Sequence, residues 1–286
     1  MSTDEKILPA HLRQRKEEGR KITMLSIYDY AIAGLADHAG LDTILVGDSL
    51  AVTALGYSST VSVTLDEMLH HTRAVAKAAK RAMVIADMPF MSYQVSSQEA
   101  VRNAGRFIKE AGADAVKVEG GETIVSTLKA IHDAGIPVVG HIGLTLQSSA
   151  QLGGKVAQGQ DAAAARRLIE DARALEAAGA FAVIVQSVPT EVGKAISASI
   201  RVPTISYGAG VHCDGQGIVA ADLLGLTGPV TPAYSKRYVD MSALVSKAIE
   251  RYCSEVLTSK FPADEHSSPM GAEELGKLQQ ILADLR

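Results

Sequence analysis

Four short apolar runs in this chain each stop at a polar residue: Ile44-Leu45-Val46-Gly47-Asp48, Met83-Val84-Ile85-Ala86-Asp87, Ala115-Val116-Lys117-Val118-Glu119 and Ala182-Val183-Ile184-Val185-Gln186. Longer stretches of helical period separate them, and that alternation marks βα units around a parallel sheet. The pattern predicts strands near 22–26, 43–47, 83–87, 115–119, 137–141, 181–186, 203–207 and 222–226, and eight is the barrel number. Lys109 to Asp114, His132 to Pro137 and Leu175 to Ala180 repeat one ending, in which a helix stops at Gly112, Gly135 or Gly179 and turns into a strand. Thr64-Leu65-Asp66-Glu67 and Ser96-Ser97-Gln98-Glu99 mark helix starts, each with a hydroxyl cap and an acid in the first turn.

At 286 residues the chain is long enough for one α/β barrel, which takes about 250 residues. We expect a single domain over 1–286, with the barrel at about 21–227 and a C-terminal helical extension at about 228–286. The extension reads as a helix from about Met241 to Lys260, a polar break and a last helix from Ala272, packed outside the barrel or against another subunit. The connections Ala51 to Val63 and Ile142 to Gln160 are long, follow the carboxyl ends of strands and are therefore lid candidates.

Composition narrows the function. The net charge is −4, and the basic cluster Arg13-Gln14-Arg15-Lys16 runs straight into Glu17-Glu18, so it reads as a solvated helix face rather than a nucleic-acid surface. The chain has no run of 18 apolar residues, and Met1 to Lys6 lacks the order of a signal peptide, so no membrane association and a cytoplasmic location are expected. Cys213 and Cys253 are the only cysteines, which leaves no disulfide framework; both are expected as free thiols.

The chemistry concentrates at strand ends. Asp48, Asp87 and Glu119 close three consecutive strands, and such carboxylates converge at a barrel mouth, where they suit an oxygen-loving divalent cation such as Mg²⁺. Each taken alone also fits a helix cap or a solvated loop. Lys117 lies two residues before Glu119, so both face the same side of their strand. That lysine can hold a substrate carboxylate or a developing enolate, or simply pair with Glu119. His141 ends the fifth strand and is the one histidine whose position suggests a role. Gly208-Ala209-Gly210, with Asp214 beyond it, reads as a phosphate cradle or as a tight turn.

Lys21 to Tyr30, Val46-Gly47-Asp48-Ser49-Leu50, Ala86-Asp87-Met88-Pro89-Phe90-Met91, Val116-Lys117-Val118-Glu119-Gly120-Gly121, Gly140-His141-Ile142-Gly143-Leu144-Thr145 and Gly208-Ala209-Gly210 with Asp214-Gly215-Gln216 together resemble the ketopantoate hydroxymethyltransferase family, in order from Lys21 to Leu226. The resemblance implies a (β/α)₈ barrel of the phosphoenolpyruvate/pyruvate-binding type with extra C-terminal helices. It implies transfer of a hydroxymethyl group from 5,10-methylenetetrahydrofolate to 3-methyl-2-oxobutanoate through a Mg²⁺-stabilised enolate, in pantothenate synthesis. By the same resemblance Asp48 and Asp87 bind Mg²⁺ and substrate with Glu119 close by, Ser49 and Lys117 hold the substrate, His141 lines the pocket, and the subunits form a homo-oligomer, commonly a decamer.

One position departs from the family. Its sixth strand ends in a glutamate that serves as the base for the C3 proton, and here that position holds Gln186, whose neutral amide cannot accept a proton. Glu191 has its own counterpart in the family's next helix and is expected to be structural. Leu146, Val61-Ser62 and Ser206-Tyr207 also depart from the family near the mouth. Three functions stay open: the hydroxymethyltransferase, a related enzyme acting on C–C or P–C bonds of 2-oxo acids, and an inactive partner that still oligomerises.

Overall fold

A computed structural model describes residues 5–227 and 232–286. Residues 1–4 and the junction expected near residue 228 lie outside them. The chain divides into two compact units, Met1–Tyr238 and Val239–Arg286.

In the first unit, helix α1 (Pro9–Glu17) precedes β1 (Ile22–Ser26), α2 (Tyr30–His38), β2 (Thr43–Val46), α3 (Leu50–Thr53), α4 (Leu65–Ala78), β3 (Met83–Asp87), α5 (Ser97–Lys109), β4 (Ala115–Glu119), α6 (Val125–Asp133), β5 (Val138–Gly143), α7 (Ala162–Ala177), β6 (Ala182–Gln186), α8 (Thr190–Ser199), β7 (Thr204–Tyr207), β8 (Gly215–Val219) and α9 (Ala220–Leu224). The strands pair in sequence order, all parallel, and β8 returns to β1 to close the barrel. Gly112, Gly135 and Gly179 follow α5, α6 and α7 with φ of +75°, +82° and +105°, which glycine adopts without steric cost.

Strand alternation sorts the core into two layers. Ile44, Val46, Val84, Val116 and Val183 face the helices, whereas Leu45, Ile85, Ala115, Val139, Ile184 and Ile205 fill the barrel interior. Two residues beyond Ile85, Ala115, Val139 and Ile184, the interior positions are Asp87, Lys117, His141 and Gln186. The apolar core therefore gives way to polar groups at the carboxyl end of the barrel.

The eighth strand differs from the expectation of 222–226. It is Gly215–Val219, and the predicted stretch is mostly α9, ended by Gly225 at φ +68°. A Cβ at Gly215 would lie 2.7 Å from the Ile22 carbonyl oxygen, and one at Gly217 would enter the Tyr207 ring. Glycine is required by close packing there, and it removes the Val/Ile signal by which a strand is read.

The basic cluster is also corrected. Arg15 pairs with buried Asp42, and Lys16 Nζ lies 2.9 Å from Asp214 and donates to the Ser197 and Val202 carbonyls at 3.0 Å each. Part of the helix face read as solvated thus packs on the barrel.

The lid candidates hold α3 and a 3₁₀ turn at Thr60–Ser62, and a second 3₁₀ turn at Leu146–Ser148. The unit Val239–Arg286 contains α10 (Met241–Leu257) and α11 (Ala272–Asp284), and Phe261 stacks edge-on with Tyr252 and His266. No helix among the described residues is long and apolar enough to cross a membrane.

Candidate metal and substrate site

Asp48, Ser49, Asp87, Lys117, Glu119, His141 and Gln186 all line one cavity of about 70 Å³ at the carboxyl end of the strands. Potential ligand atoms of Asp48, Asp87 and Glu119 lie within 4.8 Å of one another. Lys117 Nζ is 2.7 Å from Asp87 Oδ1 and 3.0 Å from Glu119 Oε1. Nδ1 of His141 is 3.1 Å from Glu119 Oε1 and 3.3 Å from Lys117 Nζ, while its Nε2 is buried without a hydrogen-bond partner among the described residues. The Asp48 amide donates to Asp87 Oδ2 at 3.0 Å, which ties the ends of β2 and β3 together. Ser49 Oγ meets Tyr28 OH at 2.7 Å, and Ser26 Oγ meets Tyr207 OH at 3.0 Å.

The charges are out of balance. Burial, then Asp87 and Glu119, push the Asp48 carboxyl well above the usual carboxylate range, and burial also raises Asp87 despite Lys117. Burial opposes the Lys117 ammonium, but Asp87, Glu119 and Asp48 hold its pKa above the ordinary lysine value. For Glu119, burial is outweighed by Lys117 and His141, and its pKa falls below the usual range. Three acids facing one lysine therefore leave Asp48 and Asp87 short of positive charge. An all-oxygen donor set with that deficit fits a hard divalent cation.

Several other expectations are settled by geometry. Gly208-Ala209-Gly210 forms a bend, with φ of +77° at Gly208 and +85° at Gly210. Asp214 binds Thr204 and Ser197 at the amino end of β7, away from the cavity. Glu191 is exposed in the first turn of α8 and does not line the cavity. Cys213 is buried, Cys253 exposed, and both are free thiols. A larger cavity of about 450 Å³, lined by outward-facing Ile142 with Thr145, Arg167 and Asp171, holds none of the three acids.

Ser26, Tyr207, Tyr234 and Gln147 also belong to the site, and of these only Tyr207 was expected near the mouth, as a departure from the family. The first three line the cavity, and strand alternation from Ile205 was signal enough for Tyr207. Gln147 lies in an irregular turn, where no periodicity points inward, yet its Nε2 reaches Asp48 Oδ2 at 3.2 Å.

The closed parallel barrel is shared with solved enzyme structures of low sequence identity. Phosphonopyruvate hydrolase superposes with a TM-score of 0.60 at 15% identity, covering 97% of this chain and 96% of that one. 2,3-Dimethylmalate lyase, a member of the PEP mutase/isocitrate lyase superfamily, gives 0.56 at 16% identity, covering 96% and 98%. At such identities the likeness establishes the fold alone.

Sequence comparison is more specific: the chain belongs to the ketopantoate hydroxymethyltransferase family, whose model matches residues 6–264. It is 49% identical to the 3-methyl-2-oxobutanoate hydroxymethyltransferase of Syntrophomonas wolfei over 93% of this chain and 97% of that protein. It is 51% identical to the enzyme of the same name from Moorella thermoacetica, over 93% and 99%.

Proposed function

We propose that this chain transfers a hydroxymethyl group from 5,10-methylenetetrahydrofolate to 3-methyl-2-oxobutanoate, giving 2-dehydropantoate for pantothenate synthesis, with Mg²⁺ as its metal. The observation that carries this reading is the convergence of Asp48, Ser49, Asp87, Lys117, Glu119, His141 and Gln186 on one buried cavity, in a chain of this family. The barrel, at about 21–227, is the catalytic part, and the family resemblance supports a cytoplasmic homo-oligomer of decameric type.

Asp48 and Asp87 would hold the metal, with Glu119 beside it. A bound Mg²⁺ would supply Lewis acidity to the 2-oxo group and so ease loss of the neighbouring C3 proton. Lys117, kept charged by its acidic neighbours, offsets negative charge developing on the substrate oxygens. Ser49 would donate its hydroxyl hydrogen to the substrate carboxylate, and His141 bounds the pocket. In the overall change C3 loses its proton and bonds to the one-carbon unit, water supplies the hydroxyl oxygen, and tetrahydrofolate leaves.

Gln186 favours a second reading. Its amide occupies the strand end where the family places a base, so the chain is slow at C3 proton removal or acts on another 2-oxo acid by making or breaking a C–C or P–C bond. Incubation with 3-methyl-2-oxobutanoate, 5,10-methylenetetrahydrofolate and Mg²⁺ separates the two. The first reading expects stoichiometric 2-dehydropantoate and tetrahydrofolate, abolished by EDTA. Absence of product, with turnover of another 2-oxo acid in a panel, supports the second.

A further inference from the structure

Gln147 belongs to none of the strands, yet it touches two of the three acids. Its backbone N–H donates to Glu119 Oε2 at 3.0 Å, and its side-chain Nε2 donates to Asp48 Oδ2 at 3.2 Å and to the Met88 carbonyl at 2.9 Å. Its Oε1 accepts from Tyr93 OH at 2.7 Å and from Gln94 Nε2 at 3.3 Å. The orientation of the amide is fixed by the Met88 carbonyl, which can only accept, so the nitrogen must face it. Both amide hydrogens and both oxygen lone pairs are used, in a residue 6% exposed. Tyr93 OH in turn accepts from the Glu119 amide at 3.0 Å. A continuous relay thus runs from the β4 backbone through Tyr93 and Gln147 to the Asp48 carboxylate.

We propose that Gln147 is a positioning residue for the metal centre: it fixes the Asp48 and Glu119 carboxylates in the arrangement that binds a divalent cation, and Tyr93 fixes Gln147. The inference rests on the metal reading above. Carboxylates that bind metals depend on such outer partners, and losing one typically lowers metal affinity about 10–100-fold. Because Gln147 sits in the turn Leu146–Ser148, this also makes metal affinity depend on how that turn is seated.

The test is calorimetric titration of the full chain with Mg²⁺ and with Mn²⁺, in the absence of substrate. Gln147→Met keeps the length of the side chain and removes its hydrogen bonds, and should weaken binding by about 10-fold or more. Tyr93→Phe keeps the ring and should weaken it by a smaller factor, and the double variant should bind no worse than Gln147→Met, because the two act through one relay. A merely structural role would lower the metal-free melting temperature and leave the dissociation constant alone. Unchanged affinity in folded Gln147→Met overturns the proposal while leaving the metal reading intact. If that variant does not fold, unchanged affinity in Tyr93→Phe overturns it. A wild-type chain that binds neither metal removes the metal reading and this proposal together.

Discussion

Lys117 Nζ stands 2.7 Å from Asp87 Oδ1, and both side chains are almost wholly buried. Lys117 is also within reach of Glu119, so one ammonium serves two acids while Asp48 lies close by. Breaking such a buried pair from one side leaves uncompensated charge and typically costs about 3–5 kcal/mol. Lys117→Met should therefore lower the stability of the metal-free protein by that order and abolish turnover. Denaturant unfolding with and without Mg²⁺ checks it. A variant as stable as wild type in EDTA would show that the acids are neutralised in some other way.

Asp48 makes a prediction of opposite sign. Its carboxyl and that of Asp87 are raised by burial first, so between the ordinary carboxylate value and their folded values the native chain keeps protons that the unfolded chain has released. In that window the stability of the metal-free protein falls as pH rises. Glu119, whose pKa is lowered, contributes stability that is lost only as pH falls through its folded value, at more acid pH. Asp48→Asn should thus raise the melting temperature at neutral pH in EDTA, flatten its decline with pH and remove the stabilisation by Mg²⁺. Thermal melts across pH 5–8 decide it. A wild-type melting temperature that climbs through the window in EDTA contradicts the charge imbalance.

Gly217 tests the corrected strand. The Tyr207 ring lies against its α-carbon and is held by the hydroxyl contact with Ser26 at 3.0 Å. Gly217→Ala should destabilise by about 1–3 kcal/mol, as overpacking does. Pairing it with Tyr207→Leu should recover part of that loss, and urea denaturation of the two variants measures both effects.

Seven strands were legible because each is a short run with apolar residues on at least one face that stops at a turn or a polar residue, and five of them, β2 to β6, carry Val or Ile on the helix-facing side. The eighth was not, since contact with Ile22 and Tyr207 selects Gly215 and Gly217, and glycines in sequence read as a turn. Asp87, Lys117 and Glu119 were legible for the complementary reason: a period of two carries inward-facing positions from the apolar core to the mouth, whereas Asp48 lies two residues past the end of β2, out of that period, and was legible only as the acid that closes an apolar run. Gln147 obeys no such period. Its role comes from hydrogen bonds to residues 54 and 99 positions away in sequence, which only the closed barrel brings together.

Gln186 stands where the proposed reaction needs a base. It lines the cavity with Lys117 and His141, and its side-chain amide makes no hydrogen bond among the described residues, so nothing there converts it into a proton acceptor. A positioned base contributes about 10²–10⁴-fold to proton transfer. Wild-type protein should therefore exchange the C3 proton of 3-methyl-2-oxobutanoate for deuterium slowly, and Gln186→Glu should exchange it faster by a factor in that range. NMR in D₂O with Mg²⁺ follows the exchange, and EDTA should suppress it in both proteins. Equal rates would mean that another group takes the proton. His141, whose buried Nε2 has no hydrogen-bond partner among the described residues, is the first residue to vary in that event, with loss of exchange in His141→Gln as the sign that it serves.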